Sequence, residues 1–174
     1  MLICGEDLGM IPKSVPGVMA DLNVLALEIQ RMPKGATDFG ETETYPYMTV
    51  CSPSCHDMST VRGWWESDVE MTQMFFNKNL KINGLAPKDC PPEIVAMINK
   101  QHLDAPSMWA VFPIQDLVGM DIALRRTDAA SEQINEPSNP QHYWRFRFHK
   151  TLEELLDEDS LNEKIARMVQ SSGR

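Results

Sequence analysis

The chain has 174 residues, of which 43% are hydrophobic and 24% are charged, and its formal net charge at pH 7 is −9. This length and composition are typical of one globular domain with a sizeable core. The negative charge argues against nucleic-acid binding, which needs a basic face, and no apolar run approaches the ~20 residues that a membrane helix requires.

Four apolar runs, each bounded by turn-forming residues, predict buried β-strands. They are residues 1–4, 24–30, 48–51 and 108–114. Their apolar character is nearly continuous rather than alternating, which is typical of strands that are covered on both faces in a parallel sheet.

Helical patterns lie between these runs and continue after the last one. An apolar stripe at residues 94, 95, 97 and 98 predicts a helix that ends near His102, and the C-terminal residues predict two short helices. The residues predicted to begin helices are Ser14, Ser67 (in a capping box with Glu70), Pro91 with Pro92, and Ser160. Strands and helices in alternation predict an α/β fold, with residues 1–174 as a single unit.

The four cysteines do not form a recognisable metal motif. Cys51 and Cys55 have the wrong spacing for a zinc site, and no second pair with histidines accompanies them. Since the N-terminus also lacks the features of a signal peptide, we expect reduced thiols in a cytoplasmic protein. Disulfide or metal roles remain as alternatives.

Two acidic residues follow predicted strands at the positions where α/β proteins carry their reactive groups. Glu6 comes two residues after the first strand, and Asp57 comes six residues after the third. Two carboxylates on one rim are what glycosidic bond chemistry requires. Asp7, by contrast, is expected to be a loop or capping residue.

Two neighbouring features leave alternatives open. His56 could pair with Asp57 as a base, bind a metal, or be an ordinary loop histidine. Trp64, beside Trp65, is expected to pack in the core, with stacking against a sugar as the alternative.

Five stretches of the sequence carry a resemblance to a known family. They are GEDLGMIP (5–12), EIQRM (28–32), YPYMTVCSPSCHDMSTVRGWWE (45–66), QHLDAPSMWAVFPIQDL (101–117) and INEPSNPQHYWRFRFH (134–149). Over residues 1–152 the chain resembles the 4-alpha-glucanotransferases of glycoside hydrolase family 77, the amylomaltases, and most of all their plant cytosolic type. Residues 153–174 are C-terminal helices outside the resemblance.

The resemblance implies a (β/α)8 barrel, of which this chain would form strands five to eight. It also implies a retaining transfer of α-1,4-glucan segments among malto-oligosaccharides, maltose and glucose, without a cofactor or metal. Glu6 matches the general acid/base, and Asp57 matches the acid that stabilises the transition state. His56 matches a residue that holds sugar hydroxyls, Asn135 a residue near the glucan, and Gln115 a further candidate for binding.

One essential part of the family pattern is missing from these 174 residues. The nucleophilic aspartate lies in an Arg-x-Asp-His motif on the fourth strand, and no such motif occurs here. The chain is therefore expected to be the C-terminal half of a longer enzyme and to be inactive by itself. The alternative is a non-catalytic glucan-binding or self-associating module, because half a barrel leaves edges that a second copy could cover.

Overall fold

The computed structural model describes residues 2–174 and contains a four-stranded sheet that is parallel throughout. The strands follow one another in space as they do in the sequence, with Cys4 opposite Leu25, Ala26 opposite Thr49 and Val50 opposite Trp109. The strands are β1 (Cys4–Gly5), β2 (Leu25–Ile29), β3 (Thr49–Ser52) and β4 (Trp109–Ala110). The predicted parallel α/β fold is thus confirmed; Met1, part of the first predicted strand, lies outside the described residues.

Seven α-helices accompany the sheet in the described residues. They are α1 (Val15–Asp21), α2 (Val61–Ser67), α3 (Val69–Lys78), α4 (Pro92–Asp104), α5 (Ile114–Val118), α6 (Leu152–Leu156) and α7 (Asp159–Ser171). Two 3-10 turns, Thr42–Thr44 and Ala129–Glu132, lie in the long connections.

The fourth strand is shorter than predicted. Only Trp109–Ala110 pairs with β3, although the apolar run continues to residue 114. Pro113 has no N–H to offer a ladder, and it precedes Ile114, where α5 begins. The apolar run therefore contains both a strand and the start of a helix.

Two predicted helix caps are wrong. Ser67 is the last residue of α2, and its hydroxyl donates to the Trp64 carbonyl; the cap of α3 is Asp68, whose carboxylate accepts the Met71 N–H at 3.1 Å. Asp68 has the non-helical backbone that a cap requires, whereas Ser67 is still helical.

The C-terminal cap is also displaced. Ser160 lies inside α7, which begins at Asp159 with Glu158 before it. A complete capping box occurs instead on α6, between Thr151 and Glu154.

The main apolar core lies among the helices. Its buried members include Trp65, Phe75, Phe76, Ile94, Val95, Ile98, Val118 and Leu161. The apolar stripe predicted for α4 is largely confirmed, since Ile94, Val95 and Ile98 are buried, but Met97 points outward. A smaller cluster of Tyr45, Cys51 and Ala105, with Ala110 against it, packs beside β3 and β4.

Both edges of the sheet are open. Within residues 2–174, β1 pairs with β2 alone and β4 pairs with β3 alone. Large apolar side chains are exposed along these edges, namely Leu2 and Ile3 at one and Trp109 and Val111 at the other. Unpaired strands with apolar side chains invite another polypeptide to add to them.

His102 is the one histidine that is fully buried in the described residues. On the inner side of α4, its Nδ1 lies 2.8 Å from the Ile98 carbonyl oxygen, so Nδ1 carries the proton. Burial lowers the pKa of His102 to about 4, because a charged imidazolium would lose its hydration. The ring is therefore neutral at physiological pH.

His102 should make stability fall in mildly acidic solution. Its pKa is about 6.5 when unfolded and about 4 when folded, so between these values the unfolded chain binds more protons. The free energy of unfolding should be unaffected by this residue above pH 6.5, then fall by up to about 3 kcal/mol as pH drops to 4. Urea unfolding across this range measures the effect.

A matched pair of variants isolates the contribution of His102 from that of the carboxylates, which titrate nearby. His102→Gln should flatten the difference between pH 6.5 and 4.5, whereas His56→Gln, at an exposed histidine, should keep it. Identical pH profiles for the two variants would contradict the assignment.

Candidate active site

Parallel strands bring the segments after β1, β2, β3 and β4 to one edge of the sheet. Glu6 directly follows β1 and its side chain is exposed. The adjacent Asp7 is buried, where its carboxylate accepts the Leu27 N–H at 2.9 Å and lies 2.7 Å from Lys34 Nζ. Asp7 therefore links the end of β1 to β2, as a loop residue with a structural role. Glu6 is the accessible acid of the two.

Three of the predicted site residues contact one another beside the loop that follows β3. His56 Nε2 lies 3.2 Å from one oxygen of Asp57, and Asn135 Nδ2 donates to the other oxygen at 2.7 Å. The Asp57 side chain stays 42% exposed and that of His56 51% exposed. Because a carboxylate can accept about four hydrogen bonds, Asp57 is oriented by the protein and can still bind a ligand hydroxyl.

Cys55 precedes His56 in the same loop. Burial raises the pKa of the Cys55 thiol, and the negative charges of Asp57 and Glu6 also raise it, whereas a hydrogen bond from the Asp57 backbone and the charge of Arg31 lower it.

Asp116 holds the loop between β3 and α2 at both ends. Its buried carboxylate accepts a hydrogen bond from the Ser54 hydroxyl near the start of the loop and from the Val61 N–H, at 2.8 Å, at its end. Burial raises the pKa of Asp116, while these hydrogen bonds and the charge of Arg31 oppose the rise. His56 and Asp57 lie on the loop so closed.

Arg31 holds the same loop from the other side. This half-buried residue follows β2, and its guanidinium donates to the Ser59 carbonyl at 2.6 Å and lies 5.3 Å from the centre of the Trp64 ring. Burial lowers the pKa of Arg31 to about 10, so it remains charged at neutral pH. Sequence reasoning missed Arg31, although a lone arginine directly after a buried strand is a usable signal.

Asn135 is held in place by a buried ion pair. Arg62 on α2 lies 3.2 Å from Glu132, three residues before Asn135, and both side chains are almost fully buried. Gln115 Nε2 donates to the Glu132 carbonyl at 3.2 Å. Gln115, predicted to bind the ligand, is thus buried and supports the segment that carries Asn135; its own contact with a ligand stays a prediction.

Trp64 is enclosed by other aromatic rings. Its ring centre lies 5.8 Å from that of Phe39, 5.4 Å from Phe75 and 6.2 Å from Trp65, all in edge-to-face contacts. With Arg31 over the ring as well, the structure favours the packing interpretation of Trp64. Stacking of Trp64 against a sugar stays a prediction that nothing in this geometry supports.

An exposed ring lies beside the cluster instead. The Trp144 ring centre is 5.6 Å from that of His56, and Trp144 is 60% exposed. Sequence reasoning did not single this residue out.

An open cleft of about 460 Å³ adjoins the cluster. Its walls combine apolar side chains of the strands and their loops with His56, Gln115, Ser52 and Ser54. A larger cavity of about 680 Å³ lies between α1 and the other face of β2, and none of the six predicted site residues lines it. Alternate residues of β2 face the two spaces, and the smaller cleft is the one that His56 and Gln115 line.

Two features are absent from residues 2–174. They contain no group of three or more histidine, cysteine or acidic side chains placed to hold a metal ion. No helix in this range is long and apolar enough to cross a membrane.

Comparison with known proteins assigns the family. The family model for 4-alpha-glucanotransferase, glycoside hydrolase family 77, matches residues 1–153, and the chain belongs to this family. The 4-alpha-glucanotransferase DPE2 of rice (Oryza sativa subsp. japonica) is 49% identical over 175 residues, which cover 100% of this chain and 18% of the rice protein. The 4-alpha-glucanotransferase of Chlamydia caviae is 26% identical over 171 residues, 95% of this chain and 32% of that protein.

Solved structures show the same fold. An amylomaltase from Streptococcus agalactiae, in complex with acarbose, matches 99% of this chain with a TM-score of 0.72 at 18% identity. The amylomaltase of Corynebacterium glutamicum matches 97% with a TM-score of 0.65 at 15% identity. This chain spans 32% and 28% of those two chains, and so less than a third of the length of the relatives it matches.

The closure of the loop by Asp116 predicts a large loss of stability when that carboxylate is removed. Asp116→Ala would leave the Val61 N–H and the Ser54 hydroxyl buried without an acceptor and would leave Arg31 without its neighbouring negative charge. We expect the free energy of unfolding to fall by about 2–4 kcal/mol in urea denaturation.

Asp38→Ala is the matched control. Asp38 pairs with Lys78 at 3.4 Å, but both side chains are more than half exposed, so its removal should cost less than about 1 kcal/mol. Equal losses for the two aspartates would show that Asp116 does not close the loop.

Proposed function

We propose that this chain supplies part of the active site of a 4-alpha-glucanotransferase that transfers α-1,4-glucan segments to maltose, glucose or other glucan acceptors. The observation that carries the proposal is the cluster of His56, Asp57 and Asn135, which lies at the same edge of the parallel sheet as Glu6, the residue after β1. Family membership over residues 1–153 supports the same activity.

In this proposal the four strands are the fifth to eighth of a (β/α)8 barrel. Their parallel pairing, their sequential order and the similarity to the amylomaltase fold support it. Glu6 then lies at the end of the fifth barrel strand and Asp57 after the seventh. The open edges of β1 and β4 are where the remaining strands would join.

The two acids have different tasks. Glu6 gives a proton to the departing glycosidic oxygen as the bond from that oxygen to the anomeric carbon breaks, and later takes a proton from the acceptor hydroxyl. Asp57 stabilises the positive charge that develops on the sugar ring. His56 and Asn135 orient Asp57 and offer polar atoms to the sugar hydroxyls.

The carboxylate that bonds to the anomeric carbon must come from another part of the barrel. No Arg-x-Asp-His motif occurs in the 174 residues, and Asp57 already serves the sugar from the side of His56 and Asn135. Loss of one member of a group that acts together removes orders of magnitude in rate. The chain by itself should therefore release no glucose from maltotriose above the blank.

A chimera tests the assigned roles. The 174 residues would replace the aligned, 49% identical segment of the rice 4-alpha-glucanotransferase, which provides the rest of the protein. Glu6→Gln should lower glucose release from maltotriose by about 10²- to 10⁴-fold, since it removes the proton donor. Asp57→Asn should cause a comparable loss.

Glu163→Gln is the control, because Glu163 is an exposed carboxylate on α7 paired only with Arg167. The roles are wrong if Glu6→Gln and Glu163→Gln chimeras are equally active. Glucose release by the unfused chain that disappears in Asp57→Asn would instead identify Asp57 as the nucleophile.

The second candidate function, a self-associating module, is favoured by one observation. Leu2, Ile3, Trp109 and Val111 expose apolar side chains along both open strand edges. In the isolated chain we propose that a second copy covers these edges, because association would bury the apolar area and pair the free backbone groups.

Light scattering tests this at micromolar concentration, where a dimer or larger species is expected. Val111→Lys, at the β4 edge, should shift the mass toward the monomer, whereas Ile122→Lys, at an exposed position away from the strands, should not. A monomeric wild-type chain would rule self-association out.

A further inference from the structure

Trp144 is a large apolar ring that is exposed immediately beside the polar cluster. Its ring centre lies 5.6 Å from that of His56, with the planes inclined by 49°, and 6.3 Å from that of His142, nearly at right angles. Single exposed apolar residues are common on protein surfaces, so the exposure of Trp144 is not by itself evidence of a function. Its position beside the polar cluster is the informative feature.

The backbone around Trp144 is fixed on both sides. Two residues before it, His142 Nε2 lies 3.0 Å from the Ile134 carbonyl oxygen, next to Asn135. Three residues after it, the Arg147 carbonyl accepts a hydrogen bond from Arg126 at 2.7 Å. The indole is therefore held beside His56 by its own segment.

The apolar ring and the polar groups next to it are together complementary to a hexose. A glucosyl ring has C–H groups on its faces and hydroxyls around its rim. Trp144 offers an apolar surface, while His56, Asp57 and Asn135 offer hydrogen-bonding groups next to it. Aromatic rings with an adjacent polar rim suit such amphipathic ligands.

The adjacent aromatic residue lacks this arrangement. Tyr143 is also exposed, but the Arg145 guanidinium covers its ring at 4.9 Å from the centre. One face of the Tyr143 ring is thus already used within the protein.

We propose that Trp144 is the stacking platform for a glucosyl unit of the glucan whose hydroxyls bind the cluster of His56, Asp57 and Asn135. This inference rests on the proposed function, and it identifies a specificity-determining residue of that site. The platform requires a ring and no charge, so phenylalanine substitutes for tryptophan in part and alanine does not.

Calorimetric titration of the 174-residue chain with maltoheptaose tests the platform. Trp144→Ala should weaken binding by about tenfold, and Trp144→Phe should weaken it by less than about threefold. Tyr143→Ala, the neighbouring control, should leave the affinity unchanged. Equal affinities for wild type and Trp144→Ala would overturn the platform and leave the proposed function standing.

A second measurement does not depend on the alanine variant being folded. Saturating maltoheptaose should shield a tryptophan of the wild-type chain from acrylamide quenching, and the shielding should be lost in Trp144→Phe while binding persists. Shielding that is unchanged in Trp144→Phe would overturn the platform alone. Absence of any maltoheptaose binding by the wild-type chain would overturn both the platform and the proposed contact of His56, Asp57 and Asn135 with sugar hydroxyls.

Discussion

The buried carboxylate of Asp116 is the interaction on which the candidate site depends. It accepts hydrogen bonds from both ends of the loop between β3 and α2, so eight residues of irregular backbone are closed into a defined shape. Burying a charge is costly unless it is compensated, and here the positive charge of Arg31 acts on Asp116 while Asp116 acts on Arg31. The strand ends bring these two residues together from different parts of the chain.

A second buried pair holds the segment on the opposite side of the site in place. Arg62 lies on α2, directly after the loop, and its partner Glu132 leads to Asn135. The helix that begins where the loop ends thus also determines where Asn135 is placed. The hydrogen bond between Asn135 and Asp57 joins the two supported segments, and this is why a carboxylate that remains partly exposed has a fixed orientation.

The sequence predicted what depends on local pattern. Continuous apolar runs predicted the parallel strands, and the placement of Glu6 and Asp57 after two of them predicted that both lie at one edge of the sheet. Resemblance to the family then implied a sugar-binding role for His56 and added Asn135. The contact between Asn135 and Asp57, 78 residues apart, could not be read from spacing, because it depends on how two loops pack.

The wrong expectations also have their cause in packing that a single sequence does not show. Ser67 and Asp68 are both good capping residues, and the end of the preceding helix α2 decided which of them had the free backbone conformation. Glu132 looked like an ordinary charged residue in the sequence, and the signal for Arg31, its position after a buried strand, was only indirect. From the sequence alone, Trp64 and Trp144 are equally able to stack against a sugar. Packing encloses Trp64 among other aromatic rings, whereas Trp144 lies beside His56.

The open edges and the exposed acid are two consequences of one geometry. A proton donor to a departing oxygen works best where bulk water is excluded, yet Glu6 lies at the end of β1, a strand that has no outer neighbour among residues 2–174. Whatever pairs with that edge also comes to lie next to Glu6. The surface that completes the sheet is therefore the same surface that would enclose the acid, and in the proposed barrel it would also carry the nucleophile. Closure of the sheet and assembly of the catalytic groups are, on this geometry, a single event.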